Sequence, residues 1–576
     1  MSALSESTSG QGAPLARVTA KECVGWVLGF LMTAAIVAAA LWLRESEHMA
    51  PIVWGSQQAL LVIVVGVLLF GMKEPGPMRC SLAAGAAAGV LVGVALAQRA
   101  PTAWFMRDVA WHTAKVALTA SGQPFDDPIL RIPTIYPFGF SVLVGTPVAL
   151  GLSLKSAMWA TTSLSLAGTL GSYWFLARAF LKPSRAAWTA VALPLVFYAP
   201  MNGYWLLPNP FNASMPFVFA GLALIALGTP GVCTKKLPLG GALLGLAGLL
   251  WYGHLLWIVP FALVWGWQRW RALKKLLLGA ALPALVLLVH VAWVARAGNL
   301  VSSGITSSEP LETSERLGAM LRNLVTLSGD AALADGPWWV GALFLPAVVL
   351  AVVRRPAGGV DGARIVRAMA PFLVLCIVYA GLRMTYWRPF SWRYTFVLYS
   401  VLLLIVGAGP AVSLAGRRVG LVAVVGLAGL LSAPLMARRA VWWSIQVAQT
   451  HETEVLPLAA EVERLTERDE PVLASAETWE RTLACAAQRP TLVDRNGGTY
   501  KYAPASVAGP RWQVAEMLRT SGDRESLLTA LEPYGFRYAI VSTRDRAQPG
   551  YAALAMGFEL VYEGAPYVIV DLTKPR

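Results

Sequence analysis

The chain has 576 residues, of which 56% are hydrophobic and only 14% charged, with a mean hydropathy of +0.57. A soluble domain carries about a quarter charged residues, so this composition excludes one and describes a multi-pass membrane protein. The formal net charge of +15 does not point to nucleic acid, because Lys and Arg fall in short clusters between apolar runs, where they set topology.

Residues 1–23 are small and polar at their start and read as a disordered cytoplasmic tail ahead of an uncleaved first span. Apolar spans of about twenty residues are expected at 24–43, 53–71 and 80–97. Arg17 and Lys21, then Lys73 and Arg79, put the N-terminus and the second connection in the cytoplasm, which leaves the loop over 98–156 outside. The next apolar run, 135–154, is broken by Pro137, Gly139, Gly145, Pro147 and Gly151. Read as a juxtamembrane or re-entrant segment, it keeps Arg178, Lys182 and Arg185 cytoplasmic. Further spans follow at 157–180, 186–204 and 211–227, then a short hairpin of 239–252 and 255–267 that turns outside at His254, then 276–294. After an outer loop come 337–353, 369–382, 394–408 and 419–436, with Arg417 and Arg418 in the last cytoplasmic turn. A total of about thirteen spans leaves the C-terminus outside. From about residue 450 charge mixes with short apolar runs at 471–474, 477–486, 491–493, 511–519, 524–532, 538–542 and 567–571, the pattern of a small extracytoplasmic α/β domain over 450–576. Cysteines stand at 23, 80, 233, 376 and 485 with no C-x-x-C pair, so neither a disulfide framework nor a zinc site is indicated.

The richest chemistry sits in the 98–156 loop. Asp108 follows the third span, where a carboxylate partly withdrawn from water is suited to take a proton from an acceptor hydroxyl. Trp111 and His112 share its helical face. A helix cap or a surface acid beside Arg107 is the competing reading. Asp126 and Asp127 lie between Pro124 and Pro128, where an Asx turn is the first explanation and a second acid or divalent-cation site the other. Cations suited to a phosphate ester at the membrane surface are His254, in Trp251-Tyr252-Gly253-His254, and Arg383, Arg388 and Arg393, in the aromatic run that leads to Tyr394. The alternatives are a polar turn residue for His254 and an aromatic belt with snorkelling arginines. His290, inside a span, reads as a packing histidine with satisfied nitrogens. Glu309, Glu312 and Glu315 read as a solvated face, and Asp494-Arg495-Asn496-Gly497-Gly498 as a structural turn without phosphate-loop spacing.

Asp108 with His112, the Gly122-Gln123-Pro124 turn, Asp127-Pro128 and Tyr136-Pro137, followed by an apolar run to a basic turn, resemble the first outer loop of the GT-C superfamily of membrane glycosyltransferases. The resemblance covers the layout of residues 80–440. It implies a polytopic helical membrane domain over 24–440 that moves a sugar, with inversion, from a polyprenyl-phosphate donor to a hydroxyl of a glycan, lipid or protein acceptor on the outer face of a bacterial plasma membrane. It also implies an essential Asp at 108 with His112, Tyr136 and Tyr394 as neighbours, and a donor phosphate held near Arg388 and Arg393, with Arg383 and His254 behind them. Arabinofuranosyl- and mannosyltransferases are both within its range. Two departures stand out: the Asp follows the third span rather than the first, and Tyr136-Pro137-Phe138 replaces the Tyr-Pro-Pro of many relatives. The rival classes are a transporter or flippase of lipid-linked sugars, for which internal symmetry is missing, and a non-catalytic glycan-binding scaffold.

Overall fold

The computed structural model describes residues 18–42, 61, 64–66, 76–97, 107–196, 209–227, 234–266, 269–300, 338–353, 392–414, 417–429, 451–493 and 503–576. Helices α1 (Ala20–Trp42) and α2 (Pro77–Ala97) pack tightly because small residues line the seam. A Cβ on Gly29 would collide with the Leu82 carbonyl, and one on Gly85 with that of Trp26. The contact pairs Gly25–Met78, Gly29–Leu82, Gly89–Phe30 and Gly93–Ala34 rise together in number, so the two helices run parallel.

Helix α5 (Leu154–Phe180) runs the opposite way. Glu22 in the first turn of α1 accepts from Arg178 in the last turn of α5 at 2.7 Å, with both side chains almost wholly buried. Thr19 and Glu22 close a reciprocal capping box at the same place. Since α2 ends and α5 begins away from Glu22, the connection from 98 to 153 leaves and re-enters the bundle at one end, here called the loop end. Two helices lie in that connection, α3 (Arg107–Ala120) and α4 (Gly139–Ala149). The eleven residues of α4 extend about 16 Å, half of a hydrocarbon layer of about 30 Å. The broken run at 135–154 thus folds as a short helix on the bundle rather than a crossing.

The bundle continues with α6 (Pro183–Val196), α7 (Pro210–Leu227), α8 (Leu237–Leu250), a tight turn over Tyr252–His254, α9 (Leu255–Gly266) and α10 (Trp270–Arg296). Gly221 meets Leu244 and Gly240 meets Ile225, so α7 and α8 are antiparallel. Gly245 meets Pro283 while Tyr252 meets His290, so α8 and α10 are parallel, and α10 finishes at the loop end. One side of α10 packs on α8, and the other exposes Leu278, Leu282 and Leu288 between Trp270 and Trp293, which lie about 35 Å apart along its axis. That is the face of a helix against lipid with an interfacial Trp at each end. Helices α11 (Trp338–Val353), α12 (Trp392–Ala408) and α13 (421–429) complete the described bundle. Arg185 donates to the carbonyls of Ala408 and Gly409, both at 2.9 Å, which fixes the far end of α12 and leaves its first turn, with Arg393 and Tyr394, toward the loop end. Among the described residues three helices are long and apolar enough to cross a bilayer, α1, α7 and α10. Arg417 and Arg418, expected in a turn between helices, belong to a small hairpin of β1 (Ala411–Leu414) and β2 (Arg417–Gly420). The expected span at 369–382 lies outside the described residues, as does most of 53–71.

Residues 451–576 build a four-stranded sheet in the order β3 (Val472–Ala474), β4 (Tyr538–Ser542), β6 (Tyr567–Pro575), β5 (Phe558–Gly564), parallel only between β3 and β4. Helices α14 (Leu456–Leu465), α15 (Ala505–Thr520), α16 (Arg524–Leu531) and α17 (Pro549–Gly557) and a π-helical stretch, Trp479–Ala487, accompany it. Every residue of β4 is buried, as its uninterrupted apolar run requires. The run at 491–493 is not a strand. It lies beside β3, where the Pro490 carbonyl accepts from Val472 and the Thr491 hydroxyl from Ala474, but Pro490 has no N–H with which to extend a ladder.

Removing one partner of the Glu22–Arg178 pair leaves a buried charge alone, which costs about 3–5 kcal/mol, whereas removing both together is far milder. Arg178→Met should therefore lower the thermal midpoint of the purified protein sharply, and Glu22→Gln combined with Arg178→Met should recover much of it. Equal midpoints for the single and double variants would mean that the pair is not what joins α1 to α5.

Candidate functional site

The site begins with α3, which the bundle covers on one side and the C-terminal segment on the other. Gly145 of α4 approaches Val116 and Thr119, and the Trp479–Ala487 stretch packs across the helix. Val109 through Leu118 are consequently all buried, including His112 and Lys115. Gly122, at φ +91°, ends the helix in a Schellman turn: its N–H bonds the Thr119 carbonyl, and that of Gln123 bonds Leu118.

The chain then folds back on itself. Asp126 pairs with Pro133, the N–H of Asp127 bonds the Ile132 carbonyl at 2.9 Å, and that of Thr134 bonds Phe125 at 3.1 Å. The Asp127 carboxylate, 1% exposed, accepts from the N–H groups of Ile129 and Leu130 at 2.8 and 2.9 Å, and Arg131 takes a left-handed φ of 56° to close the turn. Asp127 is therefore an Asx-turn acceptor. Among the described residues no three His, Cys, Asp or Glu side chains gather as metal ligands would.

Lys115 was not singled out in the sequence. Its Nζ donates to the Asp126 carbonyl, with the Asp126 and Asp127 carboxylates nearby, and burial lowers its pKa from the ordinary 10.5 to about 8 against the pull of those two carboxylates. Burial likewise raises both carboxyls above the usual aspartate range. For Asp127 the two backbone N–H bonds, Lys115 and Arg511 act in the other direction. The available signal was position: Lys115 falls on the helical face of Asp108, Trp111 and His112, on a helix whose remaining residues are mostly apolar.

An aromatic wall stands beside this polar loop. Tyr136 lies 4.3 Å from Trp111 and 5.9 Å from His112 between ring centroids, and Phe140 is 5.7 Å from His112. His112, Asp126, Asp127 and Tyr136 thus meet around α3, whose first turn carries the backbone of Asp108. His254 does not join them. It is fully buried, with its Nδ1 accepting from the Trp257 indole N–H at 3.1 Å and its Nε2 bonded to Ser214 Oγ at 2.8 Å, so it ties α7 to α9 and offers no ring nitrogen to a phosphate. His290 has the paired nitrogens expected of it, one on Tyr252 and one on the Thr134 carbonyl. Arg393 and Tyr394 stand in the first turn of α12, while Arg383 and Arg388 lie outside the described residues, as do Glu309, Glu312, Glu315 and the 494–498 turn.

The C-terminal segment closes over the loop from the side away from the bundle. Arg131 pairs with Asp469 at 3.4 Å, and Arg468 donates to the Ala117 carbonyl at 3.4 Å. Residues 451–576 therefore sit at the loop end.

The chain as a whole is similar to solved structures. ArnT from Cupriavidus metallidurans bound to undecaprenyl phosphate superposes with a TM-score of 0.52 at 15% identity, covering 84% of this chain and 97% of that one. Its apo form gives 0.50 at 16% identity with the same coverage. An oligosaccharyltransferase from Archaeoglobus fulgidus, in its apo form, gives 0.48 at 11% identity over 92% of this chain and 74% of that one. No protein-family model matches the chain, and no curated protein does. The chain shares its fold with these ArnT structures. At these identities the likeness is one of fold, so the chemistry rests on the chain's own residues.

Lys115 supplies a test of the site's electrostatics. Its folded pKa lies below its unfolded one, so the unfolded chain binds the extra proton between them and stability rises as pH climbs from about 8 toward 10.5. The thermal midpoint should increase across that window and lose the increase in Lys115→Met. The same slope in the variant would show that Lys115 is not the group responsible.

Proposed function

We propose that this protein is a GT-C glycosyltransferase that moves a sugar from a polyprenyl-phosphate donor to a hydroxyl of a cell-envelope glycan, lipid or protein. The observation that carries this reading is the fold shared with an ArnT that binds undecaprenyl phosphate, over most of both chains, together with a carboxylate-bearing loop held at one end of the bundle. Trp293, half exposed at the loop end of α10, touches Phe125 with ring centroids 5.8 Å apart. The loop is thereby set beside the lipid-facing surface from which a polyprenyl chain would arrive.

In this reading Asp108 takes the proton of the acceptor hydroxyl as that oxygen attacks the anomeric carbon. The bond from that carbon to the phosphate oxygen breaks, and polyprenyl phosphate leaves with the electron pair. A single displacement inverts the configuration. Arg388 and Arg393, with Arg383 behind them, compensate the phosphate charge, and no covalent enzyme intermediate is needed once the leaving group is neutralised. His254 is not assigned to the phosphate, because both its nitrogens are already bonded. Asp127 shapes the loop through its two backbone bonds, and Asp126 through its carbonyl on Lys115. The 451–576 segment, seated on α3, is positioned to meet the acceptor. In this reading the end that holds Glu22 faces the cytoplasm of a bacterial plasma membrane and the 451–576 segment lies outside, an orientation supported by the placement of Lys and Arg along the sequence.

Asp108→Asn keeps size and hydrogen bonding but removes the base, so transfer from a polyprenyl-phosphate sugar should fall by roughly 100-fold or more while donor binding persists. Turnover near the wild-type rate would remove Asp108 from the role. Single cysteines placed after Arg576 and at Gly122 should both react with an impermeant maleimide on intact cells. Reaction of only one of them would contradict the shared outer face.

A further inference from the structure

The loop that carries Asp126 and Asp127 is not held by its own hydrogen bonds alone. Two successive carbonyls on its return strand, those of Pro133 and Thr134, are each taken by a side chain from the loop end of α10. The Nε2 of His290 lies 3.0 Å from the Thr134 carbonyl, and the Asn299 side-chain N–H donates to that of Pro133 at 3.0 Å. A carbonyl only accepts, so His290 carries its proton on Nε2 and its Nδ1 accepts from the Tyr252 hydroxyl at 2.6 Å. Tyr252 belongs to the turn after α8, so one fully buried imidazole joins that turn, α10 and the loop. Its ring is stacked against Phe125, with centroids 5.0 Å apart, and edge-on to Phe138 at 4.7 Å, which fixes its plane and hence the direction of both bonds.

The placement of Asn299 is written into the end of the helix. Gly298, at φ +73°, turns the chain in a Schellman motif, with its N–H on Ala295 and that of Asn299 on Val294. That turn brings Asn299 back over the loop, whereas continued helix would have carried it away.

We propose that His290 and Asn299 are positioning residues that clamp the 125–134 segment to the bundle, so that the face of α3 bearing Asp108, His112 and Lys115 keeps one geometry for the transfer step. The assignment to transfer rests on the glycosyltransferase reading, but the clamp itself is tested without a sugar. Deuterium exchange of the full-length protein in nanodiscs should show protection of backbone amides in 125–138 falling by roughly tenfold in Asn299→Ala and further in His290→Leu, with α1, α2 and β4 unchanged. His290→Gln, whose amide N–H can still reach the Thr134 carbonyl, should restore part of the protection. In the transfer assay the same variants should lose kcat while their affinity for polyprenyl phosphate stays within about twofold, the split expected of misplaced rather than missing groups. Should His290→Leu fail to fold, Asn299→Ala, at a half-buried position beyond the helix, still decides the matter. Unchanged exchange in Asn299→Ala, or loss of polyprenyl-phosphate binding in step with kcat, overturns the clamp. Loosened exchange in the variants, with no transfer by the wild-type protein from any polyprenyl-phosphate sugar, supports the clamp and counts against the transferase reading alone.

Discussion

A polar loop pressed against an apolar bundle must satisfy its buried backbone groups within the protein, because neither lipid nor packed side chains will do so. The 125–134 segment is governed by this constraint. The N–H groups of Asp127, Ile129, Leu130, Arg131 and Thr134 are met by the Asp127 carboxylate and by carbonyls within the turn, and the carbonyls of Asp126, Pro133 and Thr134 by Lys115, Asn299 and His290. Each partner comes from a different place: the loop itself, the helix before it, and a membrane helix far along the chain. The carboxylates, the lysine and the aromatic wall keep their mutual geometry because these bonds tie the segment to each of its neighbours.

The bundle makes such closure workable by fixing which helix ends meet. Close α1–α2 packing through Gly and Ala sets two parallel helices, and the Glu22–Arg178 pair ties the start of one to the end of α5. The connection between α2 and α5 must then begin and end on one side. A buried ion pair of this kind contributes little net stability relative to an apolar pair of the same shape, but it strongly disfavours any arrangement that leaves one charge unmatched. Its role is to select the register of helices, and so to direct the 98–153 connection to the loop end.

Features carried by neighbouring residues were legible in the sequence. The Asx-turn setting of Asp127 and the proline- and glycine-broken run at 135–154 each depend on a few adjacent positions, and each appears in the fold, as does a helix over the positions of Asp108 and His112. What was not legible depends on closure over long distances. His290 reaches Thr134 across 156 residues, and Asn299 reaches Pro133 across 166, so nothing near either one advertises its partner. His254 is hard to read for the same reason: nothing in its short turn shows that Ser214, 40 residues away, lies on its ring. Lys115 was passed over because a lysine on an outer helix is ordinarily solvated, and only packing by α4 on one side and the 479–487 stretch on the other buries it. Strand β5 lacks a clean apolar alternation, with Glu559 and Glu563 on the sheet edge, and so escaped a pattern search.

The loop is also where the two parts of the protein act on one another. From the bundle, α10 grips residues 133 and 134; from the opposite side, Asp469 holds Arg131 and Arg468 holds the carbonyl of Ala117. The grips differ in strength. The bundle side uses buried hydrogen bonds around a fully enclosed imidazole, whereas Asp469 is 87% exposed and its pair with Arg131 is screened by water. The Arg131–Asp469 pair therefore does little to hold the C-terminal segment, whose seat is the packing of Trp479–Ala487 across α3, while residues 133 and 134 are fixed to α10 by buried hydrogen bonds. The turn between them, 127–131, holds Arg131 in a left-handed conformation next to Lys115 and the two carboxylates, so the bundle and the C-terminal segment meet at the polar loop itself.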